Sequence, residues 1–336
     1  MSQFTSISRR QMLMGMSALA AVPSIALTAD RRRSAGPIID VHAHFQPAVL
    51  RALNMPGPMN AWSLQKHFDD MGAAGVTRSM LSITTPGLPA GERGRTLARG
   101  INEEAAKLAA DHRDRIGFFL ALPMDDPDAA LKEIEYGYDT LKAPGVGLFT
   151  SYGAEWLGDK RFNPVFEELS RRKAVVYVHP NTANCCTRLI PEVADTVVEY
   201  GTDTTRAIAS FVYRGAAHRY PEVRMIWSHA GGTMPFLIER FDFIDRSPNS
   251  KAQAPDGFRA AVARFYYDIA QSTAAAPSRA LKQVVPVERL VFGSDYPFRT
   301  SLEHVQGLEA ARVYSRSELK GIYAGNVGRF LPELLR

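Results

Sequence analysis

Cysteine is nearly missing: the 336-residue chain has two, Cys185 and Cys186, and they are neighbours. Two adjacent thiols cannot staple a fold of this size, so no disulfide framework is expected and the pair reads as ordinary loop or packing residues. Also missing is a glycine-rich phosphate loop after the first strand-like run. That removes the usual nucleotide-binding form of a doubly wound sheet. No basic run is interleaved with aromatics. The formal charge of +5, to which Arg9 and Arg10 contribute two, is too small to point to nucleic acid. The one mildly apolar N-terminal stretch, Met12 to Leu27, is too short and too rich in alanine and serine for a membrane span, so stable membrane insertion is not expected. What is left is ordinary soluble composition, 46% hydrophobic and 22% charged.

The N-terminus has a logic of its own. Ser8-Arg9-Arg10 precedes the mildly apolar stretch, and small residues follow at Ala26 and Ala29. This pattern resembles a twin-arginine (Tat) export signal over residues 1–29, with 30–36 as a linker. It predicts a periplasmic protein, or a cytoplasmic one if the signal does not operate. Residues 37–336 read as a single domain.

From residue 37 on, short β-branched or aromatic runs alternate with longer amphipathic segments. The runs are "PIIDVHAHF" (37–45), "SMLSITT" (79–85), "RIGFFLALP" (115–123), "GVGLFTSY" (145–152), "AVVYVHP" (174–180), "VRMIWSHAGG" (223–232), "FYYDIAQS" (265–272) and "RLVFGSDYPF" (289–298). Between them, "LARGINEEAAKLAADHRDR" and "NPVFEELSRRK" repeat apolar residues at three-to-four spacing with charges opposite. Eight such units predict an α/β fold, a parallel (β/α)8 TIM barrel closed by C-terminal helices. Residues 46–63 and 181–200 look like insertions after strands.

Chemistry in such a barrel gathers at the C-terminal ends of its strands. Of eight histidines, four close strand runs: His42 and His44 the first, His179 the fifth, His229 the sixth; Asp295 closes the eighth. Alternation along a strand puts Asp40, His42 and His44 on one face. His67, His112, His218 and His304 fall in helical or loop patterns and read as surface or packing residues. Taken singly, each strand-end group has a plain reading: a hydrogen-bonded core histidine, a capping aspartate, a tight Gly231-Gly232 turn. Together, five titratable groups buried at one mouth would face a large desolvation cost without a cation. Imidazoles with one carboxylate suit a divalent ion such as zinc, with manganese as the alternative. Asp40, deeper in the strand, is the candidate acceptor that orients an imidazole.

The ordered set "DVHAH", "VHP", "SHAGG" and "GSDYPF", with the ending "AGNVGRFL", resembles the amidohydrolase-2 branch of the amidohydrolase superfamily, which includes aminocarboxymuconate-semialdehyde decarboxylase. The resemblance implies His42, His44, His179 and Asp295 as ligands of one divalent metal and His229 as acid/base. It implies that Arg240, in "PFLIERFD", reaches a partner's site in a homodimer to hold a substrate carboxylate. Within the branch, residues 146–180 look most like 6-methylsalicylate decarboxylases. The activity implied is nonoxidative decarboxylation of a small carboxylic acid of the 2-hydroxybenzoate type. The alternative is hydrolysis of a lactone, ester or amide at the same site, with Asp295 as proton acceptor. A metal-binding barrel without activity would be expected to lack the acid/base, which this chain keeps. Phe298, Trp62 and Tyr152, with Phe45 and Trp156, are candidates to line an aromatic pocket; Arg51 and Arg299 are candidates to meet a carboxylate. Two departures stand out. Some phenolic-acid decarboxylases of the branch carry Glu and Ala in place of the first histidine pair, and the intracellular ones lack an export signal.

Overall fold

A computed structural model describes residues 36–51 and 57–335; the export signal and nearly all of the linker lie outside the described residues. From Pro37 onward the chain is one compact unit. Eight strands build it: β1 Ile38–His44, β2 Val76–Ser82, β3 Ile116–Ala121, β4 Gly145–Phe149, β5 Val175–His179, β6 Arg224–Trp227, β7 Tyr266–Asp268 and β8 Leu290–Val291. They pair in sequence order and always in parallel. The chain leaving β8 returns to β1 through Val41 N–Phe292 O (3.0 Å), Asp295 N–His42 O (2.8 Å) and His44 N–Tyr296 O (2.7 Å). The sheet thus closes on itself, and the expected (β/α)8 barrel is what the chain forms.

Strands of a closed parallel sheet are covered on both sides, which is why the runs are apolar throughout rather than alternating. An inner cluster, including Ile39, Val41, Phe119, Tyr177 and Ile226, fills the barrel, and Val327, Phe330 and Leu334 of the C-terminal turns join it. A larger cluster lies between strands and helices. Local signals start and stop the helices. Asp126 accepts from Ala129 N just before Pro127, and Thr300 and Glu303 form a capping box. Gly75 ends Leu64–Ala74 at φ 79°, where a side chain would be strained.

Three features depart from the sequence reading. The β1–β2 register slips: Asp40 pairs with Ser79, but Ala43, three residues on, pairs with Leu81, only two on. The extra residue breaks the alternation, so Asp40 does not share its role with His42 and His44. The fourth run splits, and Ser151–Tyr152 turns back on Glu155–Trp156 as a small antiparallel hairpin. Finally, Cys185 and Cys186 are not unpaired loop thiols. A short turn, Asn184–Cys186, brings them together and they are disulfide-bonded. Among the described residues no helix is long and apolar enough to cross a membrane.

Candidate metal centre

Four ligand atoms, one each from His42, His44, His179 and Asp295, lie within 4.8 Å of one another at the C-terminal mouth, and all four residues are buried. His42 and His44 arrive from β1, His179 from the end of β5, and Asp295 from the chain that closes β8 onto β1. Asp295 Oδ1 sits 3.2 Å from His42 Nε2 and 3.1 Å from His44 Nε2, and those two nitrogens are 3.2 Å apart. Each imidazole is held by its other nitrogen: His42 Nδ1 to Asp268 Oδ2 (2.9 Å), His44 Nδ1 to Ser82 Oγ (3.2 Å), His179 Nδ1 to the Pro180 carbonyl (2.9 Å). That leaves three Nε2 atoms and one carboxylate oxygen converging, the donor set of a divalent-cation site with its outer hydrogen bonds made.

The electrostatics agree. Burial pulls His42 down, but the Asp268 and Asp295 carboxylates outweigh it and raise its pKa to about 10. Burial lowers His44, and takes His179 well below its ordinary value. Burial would raise Asp295; the adjacent His42, His229 and His44 prevail and hold its carboxyl well below the usual range. Two buried carboxylates, Asp268 and Asp295, thus flank His42 and favour positive charge at the centre of the cluster.

His229 lies just above. Its Nε2 is 3.3 Å from Asp295 Oδ2, the oxygen turned away from His42 and His44, and its Nδ1 has no partner among the described residues. Gln271 Nε2 donates to the same Oδ2. Over the group opens a cavity of about 560 Å³, lined among others by Thr85, Tyr200, Thr233, Gln271, Phe298 and Arg299.

Phe298 is 40% exposed, lines the cavity and lies edge-on to His44 at 5.9 Å. Arg299 stands at the rim. Trp62 and Tyr152 require correction as pocket residues, since neither lines the cavity. Trp62 is buried against Phe45, and Tyr152 packs on Phe162 while its hydroxyl accepts from Phe149 N. Trp156 is likewise occupied, donating to the buried Asp203. Arg51 and Arg240 are exposed and outside the cavity, Arg240 on helix Ile238–Ile244.

Asp40 is corrected as well. Its Oδ1 accepts from His42 N and Ser294 N and its Oδ2 from Ser294 Oγ; burial pushes its pKa up to about 7. It ties β1 to β8, and the imidazole of His42 rests on Asp268 instead. Sequence reasoning missed Asp268, although "FYYDIAQS" carried it at a strand end as plainly as "VYVHP" carried His179. It missed Gln271 and Tyr200, which no pattern marks. His67 and His304, read as surface or packing residues, are both buried, and His304 Nε2 accepts from Gln271 N.

Residues 39–332 match the amidohydrolase (Amidohydro_2) family model. The chain belongs to this family. It is 36% identical over 274 residues to the 6-methylsalicylic acid decarboxylase of Penicillium expansum, covering 77% of this chain and 84% of that one. Its fold is similar to the 2,6-dihydroxybenzoate decarboxylase from Rhizobium (TM-score 0.78, 18% identity, 88% of this chain and 98% of that one). It is similar too to a dihydroxybenzoic acid decarboxylase from Polaromonas sp. JS666 solved with manganese and 2-nitroresorcinol (TM-score 0.75, 19% identity, 88% and 96%).

Proposed function

We propose that this amidohydrolase is a metal-dependent nonoxidative decarboxylase of a small 2-hydroxybenzoate-type acid, with 6-methylsalicylate the first candidate. The observation that carries it is the convergence of three imidazole Nε2 atoms and Asp295 Oδ1 at the floor of an aromatic-sized cavity, with His229 beside Asp295 Oδ2. The 36%-identical relative named for 6-methylsalicylate supports decarboxylation over hydrolysis of a lactone, ester or amide.

His42, His44 and His179, each through Nε2, and Asp295 through Oδ1 would hold one divalent ion. Bound there, the ion supplies Lewis acidity and a template for neighbouring substrate oxygens. Imidazole–carboxylate sites take zinc or manganese; the manganese in the Polaromonas structure supports manganese. The chain's own residues do the rest. Phe298 offers an apolar surface to an aromatic ring, and Arg299 a cation at the rim. His229, oriented by Asp295, delivers a proton to the ring carbon bearing the carboxylate. Cleavage of the C–C bond returns its electron pair to the ring, restores aromaticity and releases CO2; His229 regains its proton from solvent.

Two further elements belong to the proposal. The exposed Arg240 fits a homodimer in which it reaches the partner's cavity, and the Ser8-Arg9-Arg10 segment fits periplasmic export. The test is to load the stripped protein with Mn²⁺ or Zn²⁺, add 6-methylsalicylate, and follow CO2 and m-cresol. Metal-dependent release that vanishes in His229→Ala is the expected result. No release from protein with metal demonstrably bound would overturn this substrate and favour hydrolysis.

A further inference from the structure

Nothing in the reaction so far uses Asp268, yet it is a fully buried carboxylate at the end of β7. Such a group persists only when donors surround it. Its Oδ2 meets His42 Nδ1 at 2.9 Å, while its Oδ1 accepts from the backbone N–H of His229 at 3.0 Å and of Ala270 at 2.9 Å. The His42 contact depends on a glycine next to it. A Cβ on Gly293 would lie 2.8 Å from His42 Cβ and 2.9 Å from Asp268 Cβ, so any side chain there would push the pair apart.

We propose that Asp268 is the positioning residue that fixes the tautomer of His42 and the placement of His229 together; the inference rests on the metal reading above. An ionised carboxylate can only accept, so with an ion bound His42 keeps its proton on Nδ1 and turns its Nε2 lone pair toward the cluster. The other two imidazoles have weaker versions of this device. His179 gives its Nδ1 proton to a neutral carbonyl, and His44 faces the Ser82 hydroxyl, which can donate as well as accept. The second oxygen of Asp268 holds His229 where its backbone is left-handed (φ 51°), a conformation disfavoured for a residue with a Cβ. One carboxylate therefore couples a metal ligand to the acid/base.

Asp268→Asn separates this role from simple packing. The amide oxygen can keep both backbone N–H groups, but its NH2 then faces His42 Nδ1, donor against donor. His42 relieves the conflict by moving its proton to Nε2, which closes the lone pair the metal needs. The chelator-stripped variant and wild type are titrated with Mn²⁺, free ion being read by electron paramagnetic resonance, and the thermal unfolding of the stripped proteins is compared. The expected outcome is Mn²⁺ binding weakened about 10- to 100-fold in a variant that still unfolds in one cooperative transition. Unchanged affinity in the variant, with a wild type that binds Mn²⁺ and releases CO2, overturns the role of Asp268 alone. A wild type that binds no Mn²⁺ overturns the metal reading beneath it. Should the variant not fold, the zinc-loaded wild type decides the matter by long-range 1H–15N spectra. His42 is expected to be protonated at Nδ1 with that proton shared with Asp268, and a His42 protonated at Nε2 overturns the proposal.

Discussion

Acid should weaken this fold through a histidine that takes no part in the reaction. His67, on helix Leu64–Ala74, is 1% exposed, and neither of its ring nitrogens has a partner among the described residues. Burial, helped by the charge of Arg115, lowers its pKa from 6.5 to about 4. As pH falls the unfolded chain takes up the proton first, so this residue's contribution is intact above pH 6.5 and is lost between 6.5 and 4. At pH 4.5 the loss amounts to about 2 to 3 kcal/mol relative to pH 7.5. His67→Leu removes the titration and keeps an apolar side chain of similar size. It also ends the burial of two unpaired nitrogens, so the variant should equal or exceed wild type at pH 7.5. Urea unfolding of both chelated proteins at pH 7.5 and 4.5 is the assay. The variant's advantage should widen by about 2 to 3 kcal/mol at the lower pH; two proteins losing stability in parallel would refute the reasoning. The loss bears on the site, since His67 packs 5.0 Å from Tyr296, the neighbour of Asp295.

Other measurements follow from the same geometry. His229→Ala should lower turnover of 6-methylsalicylate about 100- to 10,000-fold while bound manganese stays constant, because His229 is not among the four clustered ligands; a variant of undiminished turnover would remove it from the reaction. Chelation should lower Tm by roughly 5 °C, since an ion at a hundred times its Kd stabilises by about 3 kcal/mol; a Tm indifferent to chelator would count against a resident ion. Asn102 is fully buried, donating to Ala121 O and Glu133 Oε1 at 2.9 Å and accepting from Ala121 N at 2.8 Å. Asn102→Ala should therefore cost about 3 kcal/mol in equilibrium unfolding, and a loss under 1 kcal/mol would mean that this anchor at the end of β3 is dispensable.

The barrel was legible because strands covered on both faces must be apolar along their length, and all eight runs stand out from amphipathic helices between them. The ends were less legible. The run at 223–232 yields a strand of only Arg224–Trp227, and the run at 289–298 only Leu290–Val291. Beyond those points the chain leaves the ladder and carries His229 and Asp295, so composition still reads as strand while geometry does not. Asp40 shows the same limit inside a strand. A one-residue slip against β2 defeats any count of alternate positions, and nothing in "PIIDVHAHF" announces it.

The residues around the mouth share a backbone feature. His229, Ala230, Gln271 and Asp295 all have positive φ without being glycine, at 51°, 58°, 52° and 60°, and all lie where strands β6, β7 and β8 give way to the mouth. Such backbone costs about 1–3 kcal/mol per residue and persists only where surrounding contacts over-determine it. Here the contacts are visible: Asp268 holds His229 N, His304 holds Gln271 N, and the His42 carbonyl holds Asp295 N. These three point at the metal cluster where the backbone stops being regular; His229 and Asp295 were legible because a histidine and an aspartate at the end of a run stand out, whereas Gln271 carries no such signal. His42 and His44 were readable since β1 carries them on its own ladder. Asp268 sits on a ladder too, and was passed over only because its run offered no histidine to draw attention to it. In a barrel of this kind a carboxylate at any strand end merits the same question as a histidine, namely which imidazole its oxygens could hold.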